Sequence, residues 1–364
     1  MKRLHVPYIW QGSIPRCHVT SLSMILNYYG LKANPSFLLN LSGMGYGFGY
    51  FEGRDVAIAA PESSMGVYPF IRYAAEKLGW TLRLITNDSF EDAWKQLRQC
   101  IDGERPVLLP LLNMKSLWKS QRTFPHVVVI CGHDEKRPIA WAHDPALGIH
   151  GEGVCYLPPN TLPKGLSGCF VEYQTEDLKA ALILEGTAWE AFGNNQLCVL
   201  ERLSEEEQTP WEEVLQRNAR LTLGLQEEVT GMRSPGLFAG PKGLRRLAND
   251  FVNTSDHLDQ KSAILNFVGS VRNMAFNVGA SYRMQAATFL SALASAWGVK
   301  RLQEIAFLFH RSSLGFEQGR SEIDGLLTSQ ISEEEMDQRV QKISSILREI
   351  ADMEEEAGTL MKGR

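Results

Sequence analysis

The chain has 364 residues, 44% of them hydrophobic and 22% charged, with a formal net charge of -5 and a pI near 6.0. That length allows two buried cores, and the composition is that of an ordinary globular protein. An acidic balance without a basic block of interleaved aromatics excludes nucleic acid as an expected partner.

The opening segment carries two basic residues but too short an apolar run for a secretory signal. No stretch approaches the ~18 uninterrupted apolar residues of a membrane span. The six cysteines, at 17, 100, 131, 155, 169 and 198, form no CxxC pair. They read as reduced thiols of a cytoplasmic protein, five of them as packing residues.

In chain order, the first expected helix is Cys17–Tyr29, where Leu22, Ile25, Leu26 and Tyr29 recur at helical spacing and Gly30 ends the run. A second helix, over about Val67–Leu78, stops at Gly79. Short strands bounded by Gly, Pro, Asn or Asp are expected at Thr81–Thr86, Pro106–Leu112, Val127–Cys131, Ile139–His143, Cys169–Tyr173 and Gln196–Glu201.

After about Arg202 the texture changes. Thr209, Pro210 and Glu212 read as an N-cap, a first-position proline and a capping-box glutamate. Helix signals without a convincing strand follow to the end. The last helix opens at Ser332 with Glu335 as capping partner, and Met336, Val340, Ile343, Leu347 and Ile350 form an apolar seam. Docking of that seam onto the rest of its own domain is the first reading, and a homodimer seam is the second. The expected fold is α+β: a domain over 1–202 with an antiparallel sheet, then an all-α domain over 203–364.

Pro15 disfavours helix in the residue before it, so the first helix begins near Cys17. A cysteine there meets the positive end of the helix dipole and unpaired N–H groups, which favour thiolate over thiol. Further on, two apolar strands flank the polar stretch His133–Pro138, a hairpin pattern. With the turn centred near Glu135, residues whose numbers sum to about 270 face each other, which pairs His126 with Asp144. Such a carboxylate would fix the imidazole tautomer and leave the other nitrogen for a thiol. His133, His143 and His18 are competing bases. His18 lies one helical step from Cys17, so the two side chains are expected to diverge. A metal site from His126, Cys131, His133 and His143 matches no standard ligand spacing, and no cofactor is expected.

Three segments carry a resemblance to a known family. They are Cys17 through Leu22 with Tyr28–Gly30, the run Gly43–Phe51, and His126 through Asp134 with His143–Pro145. Together they resemble the butirosin-biosynthesis protein H N-terminal family, which is similar to papain-like bacterial leader peptidases. Gly240–Leu247 and Tyr282–Leu290 resemble the helical domain that follows in that family. The resemblance implies a papain-like fold with Cys17 as nucleophile, His126 as base and Asp144 as orienting carboxylate. It implies acyl transfer from the phosphopantetheine thioester of an acyl carrier protein, or of coenzyme A, to a small-molecule amine.

Gln11, six residues before Cys17, sits at the offset where papain-like enzymes place an oxyanion-hole glutamine. Leader peptidases of this fold carry glycine directly after the cysteine. This chain has His18 instead, a departure towards the transferase branch. A cysteine peptidase or amidase, and an inactive binding scaffold, are the competing readings. The glycines of Gly43–Phe51 could line a narrow channel for a pantetheine arm or an aromatic acyl group, or form a tight crossing beside the nucleophile helix. Lys115, Lys119 and Arg122 could form a basic rim for an acidic carrier protein, or be solvated loop charges.

Overall fold

The computed structural model describes residues 1–11, 16–51, 56–58, 68–119, 125–146, 170–184, 193–203, 211–225, 236–255, 267–269, 271–327 and 332–363. The chain divides into two compact units, Met1–Leu38 with Ile71–Gln208, and Leu39–Phe70 with Thr209–Arg364. The fold is α+β.

The first unit is built on a seven-stranded sheet among the described residues. Its order is Trp80–Thr86, Gln196–Arg202, Val107–Asn113, Pro125–Asp134, Ile139–His143 and Val171–Gln174, with Lys2–Arg3 added to Pro125–Asp134. Every pairing is antiparallel. The two central strands are buried over Val107–Leu109 and Val127–Cys131, the continuous apolar runs expected of strands covered on both faces. Pro110 sits where Val107–Asn113 breaks register against Pro125–Asp134. A residue with no N–H belongs at such a bulge.

The helix Cys17–Tyr28 is buried from His18 to Leu26. Four residues past Cys17, on the same helical face, the Ser21 hydroxyl donates to the Val127 carbonyl at 3.2 Å. That bond fixes the cysteine end of the helix beside the strand that carries His126.

In the second unit, Gly49–Phe51 pairs with Leu237–Ala239 on one side and Val56–Ile58 on the other. The sequence suggested no strand after Arg202. Leu237–Ala239 has three residues between Gly236 and Gly240, too few to show a period of two. Its pairing also explains why Leu39–Phe70, expected within an unbroken 1–202, clusters with the helical segment. The run Gly43–Phe51 contributes core to this unit: Tyr46, Phe48 and Tyr50 are buried. Phe48 and Tyr50 pack with Leu244, Phe251, Phe276 and Phe316. Phe48 and Tyr50 are thus packing residues of this unit's core.

A buried ion pair keeps the glycine run in place. The Arg283 guanidinium meets both carboxylate oxygens of Glu354, at 2.6 and 3.1 Å, and donates to the carbonyls of Gly45 and Gly47. The Ser312 hydroxyl donates to Glu354 Oε1 at 2.9 Å. Both charged side chains are fully buried. The helix Lys300–Leu327 closely approaches Val278–Trp297 where Gly279 faces Phe316, and the π-helical segment Arg272–Asn277 where Gly319 faces Phe276; a Cβ at either glycine would clash with a ring.

The last helix, Glu333–Lys362, starts as its sequence implies, with Ser332 Oγ accepting from the Glu335 N–H. Val340, Ile343, Leu347 and Ile350 of its seam are buried in this unit's own core. Among the described residues no helix is long and apolar enough to cross a membrane.

The Glu354 charge exists to satisfy Arg283, so its removal leaves a buried guanidinium uncompensated. Glu354→Ala should destabilise the second unit by about 3–5 kcal/mol, read as a lowered urea midpoint. An unchanged midpoint would mean that water reaches Arg283.

Candidate active site

Cys17 is the first residue of its helix, and Arg16 provides no side-chain cap to the helix N-terminus. The residue as a whole is half-buried. Burial alone would raise its pKa, but the charge of His126, with hydrogen bonds from His126 and His18, outweighs that and brings it down to about 6. His126 is buried. Burial would lower its pKa, yet Asp144 first and Cys17 second raise it to about 10. The two groups thus stand as thiolate and imidazolium over the range between those values.

His126 Nε2 lies 2.7 Å from Asp144 Oδ1, which leaves Nδ1 for the sulfur. Asp144 is completely buried. Burial opposes its charge, but the imidazolium, the hydrogen bonds from His126 and Tyr173 and the Ala146 N–H hold it below the usual carboxylate range. Its Oδ1 also accepts from the Ala146 N–H at 2.9 Å, an Asx turn around Pro145. Its Oδ2 accepts from Trp118 Nε1 at 3.2 Å and the Tyr173 hydroxyl at 2.7 Å.

The sequence brought His126 and Asp144 together by a register that the structure revises. Near the turn, His133 faces Ala140 and Asp134 faces Ile139, so the paired numbers sum to 273 rather than 270. A bulge at Cys131 then changes the pairing to Ile130 with Ala142 and Val129 with His143, a sum of 272. Extended to the end of the hairpin, 273 would have put His143 on the face of His126, because a shift of one residue exchanges faces. The bulge restores parity. Asp144 becomes a diagonal neighbour of His126, about 7–8 Å away along the sheet, still within reach of the imidazole.

Gln11 is buried and tethered at both ends of this constellation. Its N–H donates to the Pro145 carbonyl at 2.9 Å, and its carbonyl accepts from Arg16 Nε at 3.0 Å. It is thereby linked to the residue after Asp144 and to the residue before Cys17. Its Oε1 has no hydrogen-bond partner among the described residues. Residues before Gln11 run along the same strand end: Tyr8 OH reaches the Asp144 carbonyl at 3.4 Å, and His143 Nε2 lies 2.8 Å from the Val6 carbonyl.

The competing histidines separate on their partners. His143 is engaged by Val6, and His133 Nε2 by Asp102 at 2.8 Å. His18 departs from expectation. It is buried, and its side chain hydrogen-bonds Cys17 instead of diverging from it. Helix side chains lean towards the N-terminus, and at the first turn nothing precedes His18 to hold it away from the sulfur. Cys131 Sγ contacts the Trp141 carbonyl, so the four residues weighed as metal ligands all have other partners. Among the described residues no group of three or more His, Cys, Asp or Glu could hold a metal ion. Of the basic rim, Lys119 pairs with Asp177 at 2.5 Å, Lys115 is exposed, and Arg122 lies outside the described residues.

Trp118 and Tyr173 were not foreseen. They reach Asp144 from positions 26 and 29 residues away, and no local pattern connects such residues.

Iodoacetamide should alkylate Cys17 with a rate that rises through a midpoint near pH 6, where an ordinary thiol gives about 8.5. His126→Ala should return the midpoint towards the ordinary value, because the attraction that opposes burial is gone. Among the other described cysteines, Cys100, Cys131 and Cys198 have thiols pushed up by burial and should label slowly. Peptide mapping by mass spectrometry checks all of these outcomes.

Residues 3–153, the segment that carries Cys17, His126 and Asp144, match the model of the Peptidase_C39-like family. No curated protein matches the chain. The match, the antiparallel sheet and the helix that begins at a cysteine together relate this segment to the papain-like cysteine peptidases.

Proposed function

We propose that the protein is a cysteine-dependent acyltransferase that moves an acyl group from a phosphopantetheine thioester to an amine. The observation that carries this reading is the Cys17 side chain, on a half-buried residue, hydrogen-bonded to His126, itself backed by the buried Asp144. In the first step the thiolate attacks the thioester carbonyl. The Cys17 N–H and the Gln11 side chain receive the oxyanion, a role supported by the double tether of Gln11. His126 gives its proton to the departing pantetheine sulfur as the acyl–Cys17 bond is completed. The amine then attacks the acyl-enzyme, His126 takes a proton from it, and the Cys17 thiolate leaves.

A thioester is already activated, so the scheme balances without ATP or a metal. The donor could be presented by an acyl carrier protein or by coenzyme A. Support for transfer over hydrolysis comes from the resemblance of the Cys17, Gly43–Phe51 and His126 segments to an acyltransferase family, and from His18 in place of the glycine of leader peptidases. A peptidase or amidase is the second reading, favoured by the Peptidase_C39-like match.

Incubation with an acyl thioester and a pool of amines separates them: an amide product supports transfer, and free acid alone assigns a hydrolase. Cys17→Ala should reduce turnover by roughly three orders of magnitude or more with the fold intact, and His126→Ala should do likewise. Retained turnover in either variant removes that residue from the mechanism.

A further inference from the structure

We propose that Trp118 and Tyr173 are positioning residues: they occupy the second carboxylate oxygen of Asp144 so that the first stays on His126. A carboxylate has two equivalent oxygens and rotates about one bond. What fixes Asp144 is the division of its partners, with His126 and the Ala146 N–H on Oδ1, and the Trp118 and Tyr173 donors on Oδ2. Trp118 is 4% exposed and Tyr173 3%, so water does not readily replace either donor. Trp118 acts twice, since its ring also lies 5.0 Å from the imidazole of His126, tilted by 54°. One side chain thereby holds the carboxylate through its N–H and packs its ring against the histidine.

Other groups around the site define what a variant would change. His126 and Tyr173 face the Asp144 carboxylate, Tyr8 lies beyond Tyr173 and touches the Asp144 carbonyl, and His126 and His18 face the Cys17 sulfur. Loss of the two neutral donors adds no charge and removes none. It strips hydrogen bonds from the ionised form of a buried carboxylate, which disfavours that form. A carboxylate that rotates or accepts a proton supports the imidazolium less, and the imidazolium then supports the thiolate less. Each step moves the Cys17 midpoint upward.

This inference concerns the site on which the proposed transfer rests, and it is tested without any acyl substrate. Tyr173→Phe removes one oxygen, Trp118→Phe removes the N–H and keeps an aromatic ring beside His126, and the two are combined in the full chain. The readout is the pH dependence of Cys17 alkylation, followed by peptide mass spectrometry, beside thermal melting. The expected result is a stepwise rise of the midpoint from about 6, by roughly one pH unit in the double variant, which lowers the alkylation rate at pH 6 on the order of fivefold. A lowered melting temperature with an unmoved midpoint would make the pair merely structural and overturn the inference. A downward shift would overturn it too, because it would mean that the two donors compete with His126 for the carboxylate. If the double variant does not fold, the single variants decide by the same criterion. Failure of the transferase reading would appear as free acid in the product assay and would leave these midpoints where they are.

Discussion

The hydrogen bond between Asp144 and His126 is the constraint on which the rest of the site depends. A carboxylate with no solvent exposure is costly to ionise, and Asp144 meets that cost with four donors drawn from four places in the chain. Its charge then raises the proton affinity of His126, which in turn lowers that of Cys17. In the proposed scheme Trp118 and Tyr173 act on the sulfur through Asp144 and His126, so its ionisation is set by the same network. A chain of polarised bonds in a water-poor setting transmits such effects better than solvent would.

Topology supplies the convergence. The helix that starts at Cys17 is fastened to the central strand by Ser21 on Val127, so the proposed nucleophile and base share one junction. The N-terminal residues are fastened to the end of the neighbouring strand by Val6, Tyr8 and Gln11. Cys17, His126, Asp144 and Gln11 are therefore tied by backbone and buried side-chain bonds to one another and to the sheet. Such elements can hold a reacting geometry to within the fraction of an ångström that catalysis demands.

Much of this was legible in the sequence because it is locally encoded. Six of the seven strands of the first unit's sheet announce themselves by short β-rich runs between turn residues, and Cys17 by a helix that begins there. Register was not legible. A bulge at Cys131 leaves an apolar run looking continuous, and it alone decides whether Asp144 or His143 shares a face with His126. The association of Leu39–Phe70 with the helical segment was equally hidden. It rests on pairing with a three-residue strand nearly two hundred residues away and on an arginine whose two carbonyl partners carry no side-chain signature. His18 was misplaced for a different reason: the rule that neighbours on a helix diverge describes an interior turn, and Cys17 lies at the end.

The acid–base values also bear on how one histidine could serve both halves of the proposed transfer. In the free site His126 is raised to about 10 by two partners, Asp144 and the Cys17 thiolate. A group that basic is a willing acceptor but, once protonated, a reluctant donor. Acylation alters the balance, because a thioester sulfur carries no charge and accepts hydrogen bonds poorly. The support that Cys17 gives to the imidazolium vanishes at the moment the acyl-enzyme forms, while that from Asp144 persists. The proton therefore becomes easier to lose when the departing thiolate needs it, and the neutral imidazole left behind is the base that an incoming amine requires. When the amide forms and the thiolate returns, the histidine's proton affinity rises again and draws the amine's proton to Nδ1. The covalent state of one sulfur thus sets the direction of proton transfer, with no movement of the residues that Asp144, Trp118 and Tyr173 hold in place.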